Sequence, residues 1–281
     1  MSVILNGKQL RDRVLERLKT KLESFDKKPT LVVILAGDDE ASKIYVNNKK
    51  KTAEKIGINS VVLNYPSDVS EKILLDKINE LNKDSEVTAI LVQLPLPKHI
   101  NKFSIINAIS PQKDVDGFTP ENFGKLLSGQ EPYVYPCTPR GIMLLLKEYG
   151  INVEGKHAVV IGRSIIVGKP MVQMLLRANA TVTCCHSHTK NISEIIKTAD
   201  IVISAVGGKI IEKSMLKPGC VVVDVGIFKD ETGKTRGDVN FAEAAEVASY
   251  ISPVPGGVGP MTVTMLLQNT VTAYKLSRGI E

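Results

Sequence analysis

HAVVIGRSIIVGKPMVQMLLRAN, residues 157–179, is the stretch on which the fold turns. HAVVIG (157–162) is a short apolar run rich in β-branched residues, GRSIIVGKP (162–170) is a turn bounded by glycines, and VQMLLRAN carries apolar residues at helical spacing. Strand, glycine turn and helix in that order make a βαβ unit of nucleotide-binding type. Five residues separate Gly162 from Gly168, so the G-x-G-x-x-G fingerprint is not present, and a tight turn of any α/β domain would read the same way. ATVTCC (180–185), ADIVISAV (199–206) and CVVVDVG (220–226) continue the rhythm. These runs are apolar nearly throughout rather than alternating, as parallel strands covered on both faces are.

The turn also carries chemistry. Arg163 and Ser164 sit where backbone N–H groups and a helix N-terminus favour phosphate. The second strand ends in CCHSHT, where an NAD-specific domain places a carboxylate on the ribose 2′-hydroxyl, and no carboxylate is there. Ser187, flanked by His186 and His188, together with Arg163 suits a 2′-phosphate, which makes NADP the expected cofactor; a loop end with two solvated histidines is the plain alternative.

Outward from this unit, TLVVILAG (30–37), INSVVLNY (58–65) and TAILVQLPLP (88–97) predict strands, with helices near 41–56 and 70–83 between them. This second βαβαβ series implies a second parallel sheet with right-handed crossovers. After SGQEPYVYP, the string CTPRGIMLLLKEYG offers Thr138 as N-cap, Pro139 at the first helical position and Gly150 as the stop, a helix over 139–149 leading from one domain to the next. The expectation is therefore two α/β domains, residues 1–138 catalytic and 139–261 Rossmann-type, with a cleft between them. A last helix from Thr262 to Ser277 either finishes the second domain or crosses back, and periodicity leaves both open. GIFKDETGKTRGDV (226–239) reads as a hairpin-like excursion around Asp230–Gly233.

Composition fits a globular protein: 281 residues, 43% apolar and 23% charged, with no apolar run long enough to span a membrane and no targeting pattern at the N-terminus, so the expected location is cytoplasmic. Cys137, Cys184, Cys185 and Cys220 have no metal-site spacing and read as reduced, buried packing residues. The net charge of +6 is scattered without a basic block, which suits an anionic small molecule as well as nucleic acid.

In the first half, SKIYVNNKKKTAEKIGI (42–58) predicts a basic helix with one aromatic ring. Tyr45 and Lys49 are four apart and share a face, with Ser42, Ala53 and Gly57 as small neighbours on the same stripe, whereas Lys50 and Lys51 rotate toward solvent. A surface tyrosine lying over a lysine stem is the bland reading. Strand TAILVQLPLP brings Gln93 to its carboxyl end, where ligands of parallel sheets gather. In KDVDGF, Asp114 and Asp116 alternate around Val115, so that one braces the loop while the other points into a cleft; an Asp-Gly turn is the plain alternative for Asp116.

S-x-x-Y-x-x-x-K-x-x-x-A-x-x-x-G-I (42–58), VQLPLP (92–97), KDVDGF (113–118), PCTPRG (136–141), GRSIIVGKP (162–170), ADIVISAVG (199–207) and PVPGGVGPMT (253–262), in this order, resemble the bifunctional methylenetetrahydrofolate dehydrogenase/cyclohydrolase family, FolD-type. The resemblance covers nearly the whole chain. It implies NADP-dependent oxidation of 5,10-methylenetetrahydrofolate and hydrolysis of the methenyl product to 10-formyltetrahydrofolate. It implies Lys49 as the catalytic lysine, Gln93 as its hydrogen-bond partner, Asp116 on the pterin and Tyr45 stacked on the folate. For the cofactor it implies Gly162, Arg163, Ser164, Gly168, Ser187 and Ile227. A final helix (262–281) returning to the first domain, a homodimer formed through the dinucleotide domains and no metal follow from the same resemblance; no nucleic-acid or membrane partner is expected. A dehydrogenase of an amino or hydroxy acid, and a dinucleotide-sensing regulator that turns nothing over, are the other readings of this fold.

Overall fold

A computed structural model describes residues 2–208 and 211–280. In chain order the elements are β1 (Val3–Ile4), α1 (Gly7–Glu23), β2 (Thr30–Ala36), α2 (Glu40–Ile56), β3 (Asn59–Tyr65), α3 (Glu71–Lys83), β4 (Ala89–Val92), α4 (Lys102–Ala108), α5 (Pro120–Leu127) and α6 (Cys137–Glu148). They continue with β5 (His157–Ile161), α7 (Gly168–Arg177), β6 (Thr181–Cys185), α8 (Ile192–Lys197), β7 (Ile201–Ser204), β8 (Val221–Asp224), β9 (Phe228–Lys229), β10 (Thr235–Arg236), α9 (Phe241–Ala244), β11 (Tyr250–Ile251) and α10 (Val258–Arg278). Every strand read from the sequence is present.

The elements form two compact units. One takes in Arg13–Cys137 and the chain from Leu266 onward, around the parallel sheet β3-β2-β4. Six of the seven residues of β2 are buried because α2 and α3 cover the central strand, with Leu74 and Ile78 of α3 wholly buried against it. Strand β4 is shorter than its apolar run. Gln93 N still donates to Ile34 O, but Pro95 and Pro97 have no N–H to continue the ladder.

The other unit takes in Thr138–Met265 and also the chain up to Asp12, around a six-stranded parallel sheet in the order β1-β11-β8-β7-β5-β6. This differs from a first domain running unbroken from residue 1. Val3 N donates to Ser249 O and Leu5 N to Ile251 O, so the short strand β1 pairs with β11, nearly 250 residues further along the sequence. Three other readings are corrected. Helix α6 starts at Cys137 rather than after Thr138; the Thr138 hydroxyl lies 2.9 Å from that of Thr262 and does not cap the helix. Strand β6 is not covered on both faces: it is the sheet edge, its residues are largely open, and Cys184 is exposed rather than packed. Helix α10 starts at Val258, with Pro260 in its first turn, where a missing N–H costs nothing. The hairpin of β9 and β10 forms as expected, with Asp230 accepting from Thr232 N, Lys234 N and Arg236 Nε at its turn.

No helix among the described residues is long and apolar enough to cross a membrane.

Candidate active site

Helix α2 is fixed at both ends by its own sequence. The Asp39 carboxylate accepts from Ser42 N at 2.8 Å, and Gly57 ends the helix at φ +97°, a conformation glycine adopts without strain. Ser42, Val46, Lys49, Ala53 and Ile56 form its buried stripe. An amine on that stripe is unusual: Lys49 is only 6% exposed. Its Nζ donates to Gln93 Oε1 at 3.0 Å and lies 4.6 Å from the centre of the Tyr45 ring. Gln93 Nε2 in turn donates to Leu94 O at 2.6 Å, which uses the other end of the amide and leaves Oε1 facing the lysine. Lys50 instead reaches Glu54 at 3.8 Å, and Lys51 is exposed.

The two aspartates after β4 divide their work. Asp114 is buried and accepts from Gly117 N, Thr119 N and Asn122 Nδ2 at 2.9, 2.8 and 3.2 Å, which folds the loop. Asp116 is half-buried, its carboxylate 3.9 Å from Cys137 Sγ. Burial pushes the Asp116 carboxyl up to about 6, against the pull of Lys49, with Asp114 adding to the rise. Burial also lowers the Lys49 ammonium from its ordinary value, while Asp116 and then Cys137 resist that fall. Loss of hydration, followed by the charges of Asp116 and Cys137, lifts the Tyr45 hydroxyl to about 12, so it stays protonated, and the side chain remains 36% exposed. Tyr45, Lys49, Gln93 and Asp116 thus form one group within one unit.

Cys137 and Asn269 belong to this group, and the sequence reading passed over both as site residues. Asn269 Nδ2 donates to Val115 O and to Tyr135 O, each at 2.8 Å, so α10 pins the backbone just before Asp116 and just before Cys137. An amide inside the apolar run of a helix, MLLQNTV, was the available signal.

The other unit holds the second set. Gly162 lies at φ +116°, and a Cβ there would stand 2.6 Å from Ala205 O; a Cβ on Gly168 would run into the backbone of Gly162. Only glycine closes this turn so tightly, which is the cradle that lets a pyrophosphate approach the backbone. Ser164 Oγ accepts from Val167 N at 3.1 Å at the head of α7, and Arg163, Ser164, Ser187 and Ile227 are all exposed. No carboxylate lies in the Cys185–Ser187 segment after β6. The site fits a dinucleotide. Among the described residues no cluster of three His, Cys, Asp or Glu side chains is placed to hold a metal ion.

Residues 5–116 match the catalytic-domain model of tetrahydrofolate dehydrogenase/cyclohydrolase, and residues 136–278 match the NAD(P)-binding domain of the same enzymes. The chain belongs to the tetrahydrofolate dehydrogenase/cyclohydrolase family. A relative named bifunctional protein FolD, from Aquifex aeolicus, is 54% identical over 280 residues, 98% of this chain and 96% of that protein. The crystal structure of the bifunctional enzyme FolD from Campylobacter jejuni superposes with a TM-score of 0.97 at 49% identity, covering 98% of this chain and 99% of that one. A Trypanosoma brucei member, solved with NADP cofactor and inhibitor, gives a TM-score of 0.94 at 36% identity over 99% of this chain and 98% of its own. Within this tetrahydrofolate dehydrogenase/cyclohydrolase, Tyr45, Lys49 and Gln93 lie inside the catalytic-domain match and Asp116 is its last residue, while Gly162, Arg163, Ser164, Gly168, Ser187 and Ile227 all lie inside the NAD(P)-binding match.

Proposed function

We propose that this chain oxidises 5,10-methylenetetrahydrofolate to the 5,10-methenyl form with NADP and hydrolyses that product to 10-formyltetrahydrofolate, with Lys49 as the group that moves protons. The observation that carries the reading is the buried Lys49 amine, held at 3.0 Å by Gln93 and 4.6 Å from the Tyr45 ring. NADP, when bound, would supply the hydride acceptor for the folate methylene carbon. Hydride transfer asks orientation of the protein rather than a base.

Hydrolysis asks more. Water adds to the cationic methenyl carbon, the bond from that carbon to N5 breaks, and the formyl group stays on N10. A proton leaves the attacking water and another reaches N5. A lysine whose ammonium is disfavoured by burial can do both, and a cationic substrate beside it disfavours the ammonium further. Gln93 Oε1 accepts from either protonation state of the amine and so keeps Nζ in place through the cycle. Tyr45 offers its exposed ring as a stacking surface for the folate, and Asp116 accepts from the pterin N–H groups. In the other unit the glycine turn receives the pyrophosphate, with Arg163 and Ser187 on the 2′-phosphate. Active homodimers working in the cytoplasm complete the reading.

A spectrophotometric assay with methylenetetrahydrofolate and each dinucleotide, following methenyl formation and its hydrolysis separately, tests the proposal. Turnover with NADP well above that with NAD is expected. Lys49→Ala should cut hydrolysis by about 10²–10⁴-fold while Lys50→Ala stays near the parent. Hydrolysis at the parent rate in Lys49→Ala would remove the lysine from the mechanism. An amino- or hydroxy-acid dehydrogenase, or a regulator, would leave the folate untouched.

A further inference from the structure

The six-stranded sheet changes its winding direction at one place. From β5 the chain goes outward to β6, then crosses back over β5 to β7 and on to β8. The loops after β5 and β7 therefore border the crevice at which α/β sheets take ligands. They meet there, since the missing Cβ of Gly162 would fall 2.6 Å from Ala205 O.

The loop after β7 lies beyond the ladder, so its amides need other acceptors. Val206 N, Gly207 N and Gly208 N donate at 2.8, 2.9 and 2.8 Å to one carboxylate, that of Asp238, and Ser204 Oγ donates to it at 2.7 Å. Asp238 is fully buried, far along the sequence from the loop it holds. A second buried carboxylate, Asp224 at the end of β8, accepts from Gly226 N, Asp238 N and Val239 N at 3.0, 2.9 and 3.0 Å. It thereby fixes both the backbone of Asp238 and the start of the loop that carries Ile227. Gly226 and Gly237 leave the room these carboxylates occupy: a Cβ on Gly226 would strike the Asp238 side chain, and one on Gly237 the Asp224 side chain. The loops so held present two exposed apolar residues, Val206 at 46% and Ile227 at 64%, and a Cβ on Gly207 would come within 3.8 Å of Ile227 O.

We propose that Asp238 is a positioning residue for the dinucleotide, its carboxylate shaping the Ala205–Gly208 loop so that Val206, beside Ile227, forms an apolar wall against which the cofactor lies. This rests on the reading of the unit as the NADP site. Only an ionised carboxylate offers enough lone pairs for four donors at once; an amide of the same shape has one acceptor oxygen and turns its own N–H groups toward the loop amides.

The test is titration calorimetry with NADP, on the wild-type chain, Asp238→Asn and Ser204→Ala, together with steady-state kinetics. Asp238→Asn should weaken NADP binding roughly tenfold or more, because two or more charge-assisted hydrogen bonds are lost. The dehydrogenase KM for NADP should rise with it, while kcat at saturating NADP and hydrolysis of supplied methenyltetrahydrofolate fall far less. Ser204→Ala removes one donor and should weaken NADP measurably, by about two- to fivefold. Parental NADP affinity in Asp238→Asn overturns the inference, and so does an equal loss of NADP binding and hydrolysis, which marks a general structural defect. If Asp238→Asn does not fold, parental affinity in Ser204→Ala overturns it instead. A wild-type chain that binds NADP without turning over the folate defeats the functional reading and leaves this one standing; one that binds no NADP defeats both.

Discussion

Asp116 and Lys49 are kept where burial disfavours the charge of each. The consequence for Asp116 has a definite sign. Its carboxyl titrates near 3.8 in the open chain and at about 6 when folded, so the folded state holds the proton more tightly. The stability that this group withholds is therefore absent below about pH 4, grows as pH rises through the interval to about 6, and is constant above it. Asp116→Asn should accordingly stabilise the protein at neutral pH by about 1–3 kcal/mol while lowering folate turnover, with the gain vanishing in acid. Urea unfolding of both proteins at pH 7.5 and at pH 3.5 checks this; a variant less stable at the higher pH refutes it. The place of Lys49 was legible because a helix puts residues four apart on one face, and Ser42, Ala53 and Lys49 indeed share the buried stripe. Its burial was not legible, since local spacing says nothing about what another strand lays against the amine.

At the scale of elements, the central strands were plain because strands covered on both faces are written as unbroken apolar runs, as in β2, β5, β7 and β8. The edge strand β6 misled for the same reason: two cysteines and a valine look buried in a one-dimensional reading, but exposure depends on whether another strand follows in the sheet. Helix α1 was not among the predicted elements although Leu10, Val14, Leu18 and Leu22 recur every fourth residue and are all buried: the apolar stripe is one residue wide and charged side chains fill most of the positions between. Helix α10 shows how an element serves a site at a distance. Asn269→Leu leaves Val115 O and Tyr135 O without that donor in a buried place, and should cost about 2–4 kcal/mol of stability by urea unfolding. A variant within 0.5 kcal/mol of the parent, roughly the limit for an ordinary surface change, would show that these carbonyls find other donors.

For the whole molecule, the family resemblance and the exposed hairpin of β9 and β10 lead to the expectation of a dimer. Light scattering at micromolar concentration should give about twice the 30.6 kDa chain mass, and a single-chain mass would reject it. The division into two units was only half legible. The strand and helix rhythm announced two sheets, but two residues of β1 are too few for any pattern to tell which sheet they join. That pairing bears on how the protein is made. During synthesis β1 emerges long before β11, its neighbour in the sheet, and the unit begun at Arg13 likewise waits for the segment from Leu266 onward. Neither unit can close before those later segments are made, so each remains incomplete in the interval, with a sheet edge or core face uncovered.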